Sequence, residues 1–98
     1  MSTLHIALHD GFAGDAVTIR LAGREVYRKD GVSTDLRISR ADGVDAPAPE
    51  GATTVEVQAR GQSGAADIDA GATPYLAVSL DADGRPRFRA SHEPFAYL

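Results

Sequence analysis

Asp15-Ala16-Val17-Thr18-Ile19-Arg20-Leu21-Ala22-Gly23-Arg24-Glu25-Val26 is the stretch that decides the fold. Val17, Ile19 and Leu21 alternate with Thr18 and Arg20, the period-2 pattern of a strand that buries one face. Ala22-Gly23 breaks the alternation, and a short strand centred on Val26 and Tyr27 follows. Strand, glycine mark, strand is the signature of an antiparallel hairpin.

The same unit recurs in both directions along the chain. Leu4, Ile6 and Leu8 alternate with His5, Ala7 and His9; Leu36 and Ile38 alternate with Asp35 and Arg37 as a predicted fourth strand. Val55 and Val57, Ile68 between Asp67 and Asp69, then Leu76, Val78 and Leu80, and finally Phe88 between Arg87 and Arg89 complete the set. Asp-Gly occurs four times, at Asp10-Gly11, Asp30-Gly31, Asp42-Gly43 and Asp83-Gly84, and Ala22-Gly23, Glu50-Gly51, Arg60-Gly61 and Ala70-Gly71 fill the gaps. Turn marks roughly every ten residues leave room for short strands and none for helices of ordinary length. The expectation is an all-β chain, residues 1–98 forming a single two-sheet antiparallel β-sandwich of seven to eight short strands. Residues 41–52 carry Pro47 and Pro49 among small and acidic residues; such a segment suits an exposed connection or a blunted edge, and it is read as a loop between the sheets.

Composition narrows the functional classes. With 98 residues, 43% of them hydrophobic and no cysteine, the chain holds one core and neither a disulfide framework nor a thiolate metal site. That composition fits a reducing compartment, and the expected location is the cytoplasm. The amino terminus has no basic region followed by an apolar run, and no stretch is long and apolar enough for a membrane span. A net charge of −4 argues against nucleic acid, whose phosphates attract clustered Lys and Arg.

The residues able to carry chemistry are few. His5, His9 and His92 are the candidate metal ligands, yet on one strand His5 and His9 stand roughly 13 Å apart, too far to share an ion. Solvent-facing histidines are the competing reading. Asp81-Ala82-Asp83-Gly84 has the start of a cation loop, but Arg85 and Pro86 stand where further oxygen ligands belong; a hairpin turn between the Leu76-to-Leu80 strand and Phe88 is the stronger reading. Arg85, Arg87 and Arg89 form a small basic ridge able to grip a carboxylate or phosphate, or to lie solvated beside acidic neighbours. No serine sits in a nucleophile elbow, so no enzyme and no cofactor are expected. Residues 94–98 place Phe95, Tyr97 and Leu98 together at the carboxy terminus, as a tail that packs back over the sandwich or docks on another protein.

The run from Asp15 to Val26, continued by Gly31-Val32-Ser33-Thr34-Asp35-Leu36, resembles the strand, glycine turn, strand unit of prealbumin-like and carboxypeptidase-regulatory-like (Ig-like) bacterial β-sandwich modules. The resemblance covers about a fifth of the chain and implies a contact-making module without catalysis. Two functional expectations follow: a protein-interaction or assembly module using an edge strand or the aromatic tail, and a small ligand- or metal-binding protein using surface histidines and carboxylates.

Overall fold

The computed structural model describes residues 2–38 and 40–95. They form eight strands and no helix: β1 (Ser2–Leu8), β2 (Ala13–Leu21), β3 (Arg24–Ser33), β4 (Asp42–Ala48), β5 (Ala52–Ala59), β6 (Gln62–Asp69), β7 (Tyr75–Leu80) and β8 (Pro86–Ser91). Two four-stranded sheets pack together as a β-sandwich, one in the order β4-β1-β7-β8 (sheet A), the other β3-β2-β5-β6 (sheet B). Every neighbouring pair is antiparallel except β1 and β7, which run parallel with His5 opposite Tyr75 and Ala7 opposite Ala77. That pair departs from the all-antiparallel expectation, because the chain crosses to sheet B twice before β7 returns beside β1.

The alternating residues form the core. Leu4, Ile6 and Leu8 of β1, Val17, Ile19 and Leu21 of β2, Val55 and Val57 of β5, and Leu76, Val78 and Leu80 of β7 are buried in one cluster spanning both sheets. Burying each stabilises the fold by about 1.5–3 kcal/mol before chain ordering is counted. Phe12 joins them from the β1–β2 crossing. Gly11 in that crossing has φ +90°, and a Cβ there would collide with the Leu80 backbone oxygen, so only glycine fits.

Ala22-Gly23 and Arg60-Gly61 close the β2–β3 and β5–β6 hairpins as two-residue turns, with φ of 53° and 79° in the first and 55° and 72° in the second. Two successive positive values are what a type I′ turn needs. Ala22 and Arg60 therefore sit in a region that L-residues adopt at a cost. Arg60 gains a return: its guanidinium donates to both carboxylate oxygens of Asp15, at 3.0 and 2.8 Å, and to the Gly11 carbonyl at 3.0 Å. Asp83-Gly84 turns the chain between β7 and β8 as expected, with Gly84 at φ +81°.

Other expectations need correction. Leu36 and Ile38 form no inward strand: residues 36–38 are a tight turn, with Leu36 87% exposed. Asp35 takes the Arg37 amide at 3.0 Å and the Arg37 guanidinium at 3.1 and 2.9 Å, and this local carboxylate capture outcompetes a ladder. Residues 41–52 are no loop between sheets, since most of the segment is β4, paired along its whole length with β1. Its buried residues are Ala46 and Ala48, too small to stand out as an apolar alternation, and an edge strand tolerates Pro47. Asp42-Gly43 therefore begins a strand instead of turning the chain. The short strand around Tyr27 is ten residues long; it runs through Asp30-Gly31, which is absorbed as a bulge where the β2–β3 register shifts.

Candidate functional site

The outer face of sheet A gathers the residues with chemical potential. Cross-strand register sets Asp45 of β4 and Tyr75 of β7 on either side of His5 of β1. His5 Nδ1 lies 2.7 Å from Asp45 Oδ1. A carboxylate only accepts, so Nδ1 carries the proton and Nε2 is directed away from Asp45. The His5 ring stacks on Tyr75, centroids 4.9 Å apart and planes 19° apart.

Two residues along β1, Ala7 stands between Gly43 and Ala77. This low row makes a floor. The Arg40 guanidinium lies directly over Gly43, where any Cβ would displace it, and its Nε approaches the Asp42 carbonyl at 3.4 Å. Phe95 closes the other side. Its ring meets His9 edge-on at 5.2 Å, and Arg89 Cζ lies 5.0 Å from the ring centroid. Between these walls is an open cleft of about 340 Å³. Burial holds the His9 pKa below its ordinary value, helped by the charges of Arg89 and Arg40 and opposed by Asp10.

The sequence candidates are dispersed over this surface. His5 and His9 belong to different parts of the outer face, and His92 lies 3.8 Å from Glu93 with both side chains exposed. Among the described residues no group of three or more His, Cys, Asp or Glu side chains could hold a metal ion. The three arginines also part company. Arg87 pairs with Asp81, which the Arg85 amide also approaches at 3.0 Å, and Arg89 covers Phe95. Phe95 packs on its own domain; Tyr97 and Leu98 lie outside the described residues. Asp67 accepts from the Thr54 hydroxyl at 2.9 Å, and Asp69 accepts from the Gly71 amide at 3.0 Å in the next turn. Asp45 and Tyr75 escaped sequence reading because only the β4-β1-β7 register brings them to His5, and Arg40 because it reaches the cleft by lying over Gly43.

The four strand edges form the second feature. β3 is interrupted by three register shifts and carries Arg24, Glu25, Arg28, Lys29 and Asp30. β4 contains Pro47. β8 starts at Pro86 and carries Arg87 and Arg89. β6 differs from all of them: it pairs with β5 without a break from Gln62 to Asp69, has no proline, and is uncharged from Gln62 to Ala66. Charge, proline and bulges are what keep an edge from accepting another strand.

These features define a β-sandwich with an aromatic-lined cleft on the outer face of one sheet and a regular, uncharged stretch of edge on the other. Among the described residues no helix is long and apolar enough to cross a membrane. Comparison with family models, with curated proteins and with solved structures finds no match.

Proposed function

We propose that this chain is a non-catalytic assembly module that associates with copies of itself through the β6 edge. The observation that carries the reading is the contrast between β6, regular and uncharged over Gln62–Ala66, and three edges broken by bulges, prolines or charge. A two-residue turn closes the β5–β6 hairpin, so Gln62 and Ala59 form a hydrogen-bonded pair and the pattern alternates from there. The amides of Ser63, Ala65 and Asp67 then point outward, towards an incoming strand. Antiparallel pairing about a two-fold axis at Ala65 sets Ser63 of one copy beside Asp67 of the other and keeps the two Asp67 carboxylates apart, the self-complementary arrangement of a closed dimer.

The prealbumin-like resemblance is proposed on the same footing, and the two-sheet β-sandwich that it implies agrees with the fold. The net charge of −4 and the absence of cysteine support a protein partner and a cytoplasmic location over nucleic acid or an oxidising compartment. Light scattering after size exclusion tests the assembly: the native chain forms a discrete oligomer that Ala65→Pro, which removes an outward amide and no β5 bond, converts to folded monomer. A native chain that is monomeric at every concentration contradicts it.

A further inference from the structure

We propose that the cleft on the outer face of sheet A is a binding site for a planar aromatic carboxylate. Its volume of about 340 Å³ falls within the range of small-molecule sites, which bury an apolar body and fix it with a few convergent polar groups. Here the body is a ring. Ala7 leaves a low step in the floor beside Gly43, which the Arg40 guanidinium covers, while the stacked His5–Tyr75 pair and Phe95 line the cleft as aromatic walls. A ring lying over Ala7 beside the guanidinium has aromatic neighbours, with which it can pack in the offset and edge-on geometries that aromatic groups favour.

The polar groups select the sign of charge. Arg40 lines the cleft, its guanidinium lying over Gly43, and a planar guanidinium fork matches a carboxylate in bidentate fashion. His5 is oriented by Asp45 through Nδ1, so Nε2 is its remaining polar atom for a ligand. Arg89 stands behind Phe95; among the described residues that line the cleft Arg40 is the cation, and Asp45, the carboxylate there, is engaged by His5. The inference does not depend on the β6 edge, which belongs to the other sheet.

Benzoate is the probe, with acetate and inorganic phosphate as its controls, titrated into isotope-labelled protein while the amides of Ala7, Val44 and Tyr75 are followed by NMR. The expected result is saturable movement of those amides by benzoate, with acetate and phosphate binding at least about tenfold more weakly. Arg40→Gln weakens benzoate by about tenfold or more; Ala7→Val, which fills the floor and keeps every charge, weakens it comparably. Both variants keep the oligomeric state of the native chain. Equal binding of acetate or phosphate overturns the aromatic class. Movement that never saturates, or unchanged affinity in a folded Arg40→Gln or Ala7→Val variant, overturns the site.

Discussion

β3 and β6 are the two edges of the same sheet, and each is anchored by a single buried side chain, Val32 at 3% exposure and Ile68 at 6%. Around that shared design they diverge. β3 is twisted by bulges, studded with charge, and tied to the other sheet, since the Tyr27 hydroxyl donates to Asp42 at 2.7 Å and Lys29 Nζ lies 3.2 Å from the same carboxylate. β6 is flat and small, with Pro86 and Phe88 of β8 resting against Gly64. A protein that blunts one edge and leaves its counterpart regular has treated the two edges differently, and negative design against edge pairing explains only the first.

Substitutions can break or sharpen that contrast, and the largest effect is expected at the β6 anchor. Ile68→Ala should cost about 3 kcal/mol in urea unfolding and speed amide exchange in the second half of β6, because the hydrogen bond that ties the strand to the other sheet, from Gln62 Nε2 to the Asp83 carbonyl at 2.6 Å, lies at its opposite end. Val32→Ala should cost about 2 kcal/mol without releasing β3, which keeps Tyr27 on Asp42. Equal fraying of both strands would remove the distinction.

The turn that starts β6 comes next. Its Arg60 holds Asp15, 8% exposed, and this hydrogen bond keeps the Asp15 carboxyl below the usual carboxylate range, a second bond from the Ala13 amide adding to it and burial opposing. A carboxyl whose folded pKa is depressed contributes stability that is present above its unfolded pKa, near 3.8, and lost as pH falls through the lower folded value. Asp15→Asn should cost about 1.5 kcal/mol at pH 7, the low end for a bond to a charged group because Arg60 keeps over a third of its surface in water. The difference from the native chain should shrink in melts taken from pH 5 downward; a gap that stays constant to pH 2 contradicts the linkage.

Smaller effects separate the two hairpins. Tyr27→Phe should cost about 1 kcal/mol and loosen β3 from β4. Burial and the neighbouring Asp42 raise the Tyr27 pKa, so the phenol stays protonated and donating in ordinary buffers. Ala22→Gly should raise stability by about 0.5–1 kcal/mol, because Ala22 at φ 53° has no side-chain bond to offset the left-handed backbone. Arg60→Gly at the matching turn should lower it, since the Asp15 pair is lost.

Legibility followed side-chain size and range. Leu4, Ile6, Leu8, Val17, Ile19 and Leu21 announced their strands because large apolar residues recur every second position. β4 stayed hidden because Ala46 and Ala48 do the same burying with single methyl groups, and Leu36 with Ile38 announced a strand that the Asp35–Arg37 bonds replace with a turn. Asp-Gly marks showed the same limit: Asp83-Gly84 turns the chain, whereas Asp30-Gly31 is carried inside β3. The cleft was legible only as isolated histidines and Phe95. Its assembly depends on which strands neighbour β1, a long-range choice that local alternation does not encode. The open edge was hidden for the same reason, as β6 becomes an edge only through the order β3-β2-β5-β6.

The most direct test of the edge assignment is amide hydrogen exchange at Ser63, Ala65 and Asp67, read residue by residue at low and high protein concentration. Association through β6 predicts that these three outward amides become strongly protected as the oligomer forms, while the outward amides of β3 stay fast. Oligomer formation with Ser63, Ala65 and Asp67 still exchanging freely would contradict it.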